Sequence, residues 1–374
     1  VAEKWLVLID CLVDWLCGRS HDGSVGGLAC GGEQGVIGRK VRGMRLTMCN
    51  DANSCRNTRP TWSFSGPGVW GFFGVLVMWL GSTAASAQEV SPLAELLTPL
   101  PIPAQVAAEE GHVKVAGASL WYWDTGGEGP AVVLVHPGTG SGLIWGYQQP
   151  VFAKAGYRVI GYSRKNYRHS MITEPADLRS DMEDLHGLNQ SLGLGKFHAI
   201  GSAAGGGIVM QYAAAHPEKL LSMTIACSLG SVHDPAYRKA SAALRPASFN
   251  NLPAEVRELG PCYRAADPEG VKRWAELERK SRSDDRYRVG PPAPGEVTWE
   301  KLNAIGIPTL LLGGDADMYT PPPMLEYFHK RLPGSRMAII QGAGHSAYWE
   351  QPQIFNRTVL DFLGDPSPKR TTGD

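Results

Sequence analysis

The sequence predicts an α/β protein: an open, doubly wound, mostly parallel sheet with an inserted helical cap. Three observations predict it. Several short runs are apolar at every position, which is the pattern of strands buried on both faces. Helical patterns of crossover length alternate with those runs. Residues 229–307 then break the alternation with a stretch rich in Arg, Pro and aromatics.

In chain order, a Pro-rich lead over residues 88–111 carries Pro92, Pro99, Pro101 and Pro103. Residues 112–124 read as two short strands around Gly117, closed by the turn Thr125-Gly126-Gly127. Continuous strands follow at 131–136 and 157–162. Between residues 175 and 192, Leu178, Met182, Leu185, Leu188 and Leu192 recur at helical steps and form one apolar stripe, which predicts a helix packed on a sheet. Further strands are expected at 197–201, 220–228, 308–313 and 336–341. The core therefore comprises residues 112–228 and 308–365, around the cap at 229–307 with its helical patch at 268–281, and residues 366–374 form a tail. In a sheet of this kind the ligand crevice lies at the carboxyl ends of the strands.

The first 87 residues read differently. Five of the seven cysteines (Cys11, Cys17, Cys30, Cys49, Cys55) fall there, at no zinc-like spacing. From Met48 the chain passes through Arg56 and Arg59, an apolar run at 69–80, and small residues ending Ala85-Ser86-Ala87. This is the layout of a signal peptide over residues 48–87, cleaved before Gln88, and it predicts an exported protein, periplasmic or secreted. The apolar run is shorter than the roughly 20 residues a membrane helix needs, so no stable anchor is expected after cleavage. Residues 1–47 show no clear periodicity and read as an extension, consistent with a reading frame carried upstream of its start. Cys227 and Cys262 remain; a disulfide between them and two free thiols are both open.

Charge excludes some partners. The 374 residues hold 36 Lys+Arg and 36 Asp+Glu, and removing the eight basic and six acidic residues of the first 87 leaves 28 against 30. A balanced chain lacks the basic excess of a nucleic-acid binder, so a small-molecule substrate is the expected partner. His112, His169, His186, His198, His216, His233 and His329 lack metal-ligand spacing, and neither a metal nor a cofactor is expected. Oligomeric state is left open.

Four motifs sit at predicted strand ends. His136-Pro137-Gly138-Thr139-Gly140-Ser141 can turn backbone N–H groups toward a developing oxyanion. Gly201-Ser202-Ala203-Ala204-Gly205-Gly206 is a glycine-bracketed turn from strand to helix. Gly314-Asp315-Ala316-Asp317 and Gly342-Ala343-Gly344-His345 follow the last two strands. In their order these motifs resemble the α/β-hydrolase fold superfamily over roughly residues 112–365.

The resemblance implies a hydrolase of small ester, lactone or related carbonyl substrates. It makes Asp317 the acid, with Asp315 as runner-up, and His345 the base; Gly138 and Ala204 supply the oxyanion N–H groups. The departure is at the elbow, where the nucleophile position holds Ala203, whose methyl cannot attack a carbonyl. A serine-to-alanine change, a natural enzyme using only the His345–Asp317 dyad (a hydrolase, or a lyase or cofactor-free oxygenase), and a noncatalytic ligand-binding descendant are all open.

Ser202 precedes the elbow apex and is the weaker substitute. Cys227 and Ser228 end a strand, where capping the next loop is the expected role. His136 reads as a structural residue bonded to its own loop, and the basic segment at 161–168 as solvated charge shaping the crevice. For the substrate pocket the expected residues are Trp145, Tyr263 and Trp274, with Tyr237 and Phe249 as further aromatics of the cap.

Overall fold

Where the sequence is apolar at consecutive positions, the chain builds the middle of a sheet. Every residue of β3 (Ala131–Val135), β6 (Phe197–Ser202) and β8 (Thr309–Gly314) is buried. The other strands are β1 (Glu109–Val115), β2 (Ala118–Asp124), β4 (Arg158–Tyr162), β5 (Met171–Ile172), β7 (Leu220–Ala226) and β9 (Arg336–Ile340). This computed structural model describes residues 98–228, 230–282 and 295–365. The extension 1–47, the signal peptide 48–87, the first ten residues of the lead and the tail 366–374 lie outside the described residues.

Among the described residues one sheet has the order β1-β2-β4-β3-β6-β7-β8-β9, with β5 paired to β2. From β4 to β9 all neighbours are parallel, whereas β1, β2 and β4 pair antiparallel. The chain leaves β3 to one side for β4 and returns to the other for β6, so the sheet reverses winding between β3 and β6. A crevice opens at such a switch point, outside the carboxyl ends of the two strands.

Two boundaries differ from expectation. Strand β1 begins within the Pro-rich lead, because Glu109, Glu110 and Gly111 continue the ladder against Asp124, Trp123 and Tyr122. The helix expected over 175–192 starts later. Pro175–Asp177 makes a separate 3₁₀ turn, and the α-helix runs Asp181–Leu192 behind Ser180, whose hydroxyl accepts from the Glu183 N–H while the Glu183 carboxylate accepts from the Ser180 N–H.

Helices cover both faces. In chain order they are α1 (Gln149–Lys154), α2 (Asp181–Leu192), α3 (Ala204–Ala215), α4 (Pro235–Ala243), α5 (Ala254–Glu258), α6 (Pro261–Ala266), α7 (Pro268–Ser281), α8 (Trp299–Ile305), α9 (Pro322–Arg331), α10 (Ala347–Glu350) and α11 (Pro352–Gly364). Helices α4 to α8 lie in the segment between β7 and β8, and α7 has the limits expected for its helical patch. No helix among the described residues is long and apolar enough to cross a membrane.

Two of the three charges in the segment expected to be solvated are instead buried, and only Arg168 stays exposed. Arg164 and Lys165 follow β4; Arg164 bonds Asp181 at 2.9 Å, and Lys165 bonds Asp181 at 3.0 Å and Asp184. The two acids occupy the first turn of α2, so ion pairing ties that helix to the crevice floor. Buried charges are retained when they are paired in this way.

Candidate active site

The elbow at the end of β6 is built by close backbone approach. A Cβ on Gly205 would overlap the Val135 carbonyl oxygen, and one on Gly201 would overlap the carbonyl of Gly205. Only glycine lets β6, α3 and the end of β3 come so near. Between them Ala203 adopts φ 50° and ψ −113°, a conformation that costs a non-glycine residue about 1–3 kcal/mol. Its N–H donates to the Ala226 carbonyl at 2.9 Å, and its carbonyl accepts from the Ser228 hydroxyl at 2.5 Å. The strained turn of a nucleophile elbow is therefore intact, with a methyl at its tip.

Ala203 lines a cavity of about 470 Å³ together with Gly138, Ala204, Ser228 and His345. The two glycine-rich loops expected to form an oxyanion site thus meet the elbow and the histidine. His345 donates through Nδ1 to Asp317, at 2.9 and 3.0 Å from its two carboxylate oxygens. Asp317 also accepts from the backbone N–H groups of Tyr319 (2.7 Å) and Thr320 (3.0 Å), which fix its orientation. With the proton on Nδ1, the lone pair of His345 is on Nε2. Asp315, the runner-up for the acid, accepts from the Gly342 N–H at 2.8 Å and so serves the turn.

Electrostatics favour a responsive base. Burial alone opposes the imidazolium, but the charge and hydrogen bond of Asp317, helped by Glu258 and Glu350, outweigh it and raise the His345 pKa above its ordinary value. Burial would raise Asp317; the His345 interaction and the two backbone donors hold it below the usual carboxylate range.

Four neighbours carry no sequence motif. The Glu350 carboxylate accepts from the backbone N–H groups of Gly344 (2.9 Å), Ser346 (3.1 Å) and Gly260 (2.6 Å). It thereby pins both sides of His345 and one point of the segment between β7 and β8. Burial, against those three donors, pushes its pKa up to about 8. Glu258 lines the cavity, accepts from the Thr139 hydroxyl at 3.4 Å, and is likewise raised by burial. The Tyr319 ring lies 4.1 Å from the imidazole, and its hydroxyl accepts from Arg257 at 3.3 Å. One signal was available: Glu350 interrupts the apolar run Ala347-Tyr348-Trp349 just after His345.

Several expected residues are placed elsewhere. Tyr263 and Trp274 do not line the His345 cavity; they are packed in an apolar cluster with Trp145 and Trp349. Trp145 packs against Tyr348 in a tilted pair with ring centroids 5.0 Å apart, and it lines a separate cavity of about 490 Å³ with Trp121, Trp123 and Leu143. The physical reason is that aromatics bury their faces against the nearest apolar layer, here the far side of the oxyanion loop. Tyr237 and Phe249 are also buried outside the cavity lining.

Ser202 is fully buried and is absent from the cavity wall. Cys227 and Ser228 do line it. Ser228 nevertheless caps the next loop as expected, accepting from the Gly230 N–H at 3.0 Å, and burial pushes the Cys227 thiol up, which disfavours the thiolate. Cys227 and Cys262 are free thiols. His136 bonds the Pro137 carbonyl through Nδ1 at 2.7 Å and accepts from the Arg164 N–H through Nε2 at 3.0 Å, so both ring nitrogens are engaged in its loop.

Comparison with known proteins bears on the fold. Residues 130–258 match the family described as alpha/beta hydrolase fold, and residues 286–373 match one described as TAP-like protein. The chain is 25% identical over 278 residues to 2-hydroxy-6-oxo-6-phenylhexa-2,4-dienoate hydrolase of Comamonas testosteroni, covering 65% of this chain and 91% of that one. It is 27% identical over 198 residues to the pimeloyl-[acyl-carrier protein] methyl ester esterase of Neisseria meningitidis, covering 46% and 60%. Among solved structures, a thermophilic esterase from Thermogutta terrifontis aligns with a TM-score of 0.55 at 21% identity, covering 70% of this chain and all of that one. The enol-lactonase from Burkholderia xenovorans LB400 aligns at 0.54 and 18%, covering 68% and all of it.

Proposed function

Because this chain belongs to the α/β-hydrolase fold superfamily, we propose that it hydrolyses a small ester, lactone or related carbonyl compound by general-base catalysis. Asp317 orients His345, and Nε2 of His345 takes a proton from water as that water attacks the carbonyl carbon. The N–H groups of Gly138 and Ala204 receive the developing oxyanion, and the proton passes back to the leaving oxygen when the tetrahedral intermediate collapses. No covalent acyl-enzyme forms, since Ala203 offers no nucleophile. The observation that carries the reading is the His345–Asp317 hydrogen bond inside the cavity that Ala203, Gly138 and Ala204 also line. Dienoate hydrolase, methyl ester esterase and enol-lactonase, the names of the relatives, all denote carbonyl substrates. The methyl at position 203 favours one other reading, a noncatalytic ligand-binding descendant.

His345→Ala is expected to lower turnover of short p-nitrophenyl esters roughly 100- to 10,000-fold. The pH profile gives the second check. The base must be neutral, so the rate rises with pH through the His345 pKa, with its acid limb centred above pH 6.5. In Asp317→Asn burial acts against only the weaker charges of Glu258 and Glu350, so the limb moves to lower pH while the maximal rate falls. Absence of turnover by the unaltered chain, with carbonyl compounds bound equally well by His345→Ala, would establish the binding descendant instead.

We also propose that the protein is exported, on the signal-peptide layout of residues 48–87. Expression of the full chain with its leader in a Gram-negative host is expected to yield periplasmic protein whose first residue is Gln88. Retention in the cytosol with the leader intact would sink this reading.

A further inference from the structure

The cavity around His345 is basic along the wall supplied by the segment between β7 and β8. Arg238, Arg257 and Arg282 all line it, but they are not equivalent. Arg282 is matched by Glu278, whose carboxylate accepts from its Nε at 2.8 Å. Arg238 donates to the Gly230 carbonyl at 2.9 Å, and Arg257 to the Tyr319 hydroxyl at 3.3 Å. Neither makes an ion pair among the described residues. The Arg257 Nε is buried and has no acceptor among them.

The acids of the cavity do not supply that acceptor. Asp317 is committed to His345, and the Glu258 carboxyl, which feels the Arg257 charge but makes no ion pair with it among the described residues, bonds the hydroxyls of Thr139 and Tyr319. Tyr319 touches both groups, its hydroxyl bonded to the Arg257 guanidinium and its ring against the imidazole, so an anion on Arg257 would sit within the same cavity as the base. A guanidinium presents parallel N–H donors whose spacing matches a carboxylate.

We propose that the substrate carries a carboxylate besides its reacting carbonyl, and that Arg257, assisted by Arg238, holds that carboxylate while the carbonyl faces Ala203 and His345. The ligand class is thus a small monoanionic oxo acid, half-ester or lactone acid. This rests on reading the His345 cavity as the substrate site, and it concerns recognition, whereas the hydrolase reading concerns turnover.

Titration calorimetry with 4-oxopentanoate and its neutral amide, 4-oxopentanamide, reads recognition without catalysis, so the two readings can fail separately. The acid is expected to bind at least tenfold more tightly than the amide at low ionic strength, with the preference shrinking as salt is added. Arg257→Gln is expected to erase the preference, Arg257→Lys to retain part of it, and Arg238→Gln to reduce it. Equal binding of acid and amide, binding of neither, or an unchanged preference in a folded Arg257→Gln protein would overturn the proposal. If Arg257→Gln does not fold, the acid–amide comparison and its salt dependence in the unaltered protein decide.

Discussion

Ala203→Ser is expected to raise kcat/KM for short p-nitrophenyl esters by about 100-fold or more and to introduce a covalent acyl-enzyme, seen as a burst of p-nitrophenol and as an acyl mass adduct. The change adds one oxygen atom to a backbone that already has the required torsions, φ 50° and ψ −113°. Position 203 opens into the cavity shared with His345, so the hydroxyl has room and a base. The cost of the strained turn is already carried by the alanine protein. Attack would run from the new Oγ to the carbonyl carbon, with its proton passing to His345 and the oxyanion directed at the N–H groups of Gly138 and Ala204. A folded serine variant with neither burst nor adduct would show that the side chain at 203 does not reach the histidine.

Glu350→Ala is expected to cost about 3 kcal/mol or more, since it leaves the buried N–H groups of Gly344, Ser346 and Gly260 without their acceptor, and each lost partner is worth about 1–3 kcal/mol. For a domain of this size that corresponds to a fall in melting temperature of roughly 6–12 °C. Glu350→Gln keeps one carbonyl oxygen and is expected to lose less. An unchanged melting temperature in the alanine variant would show that water satisfies those donors and that the carboxylate does not hold the histidine loop.

The core strands were legible because burial on both faces leaves a signature in every residue: Ala131–Val135 and Thr309–Gly314 have no polar side to disguise them. Loop motifs were legible for a related reason, as Gly201 and Gly205 record backbone contacts that exclude a Cβ. The burial of Arg164 and Lys165 was not legible, because their partners Asp181 and Asp184 are on the next helix and only the folded chain brings them together. Tyr263 and Trp274 misled for the converse reason: aromatic content says that a face is buried, and the packing of the segment decides against what. Arg257, Glu258 and Tyr319 gave no local pattern, since they reach the cavity from two separate stretches of chain.

The segment between β7 and β8 is fastened to both polar halves of the crevice. Gly260 bonds Glu350 behind His345, and the Ser281 hydroxyl bonds Ser141 of the oxyanion loop at 2.8 Å. The wall that would grip a substrate and the two loops that would act on it thus share one framework of hydrogen bonds, so Ser281→Ala is expected to disturb the oxyanion loop from the cap side although residue 281 lies outside the cavity lining.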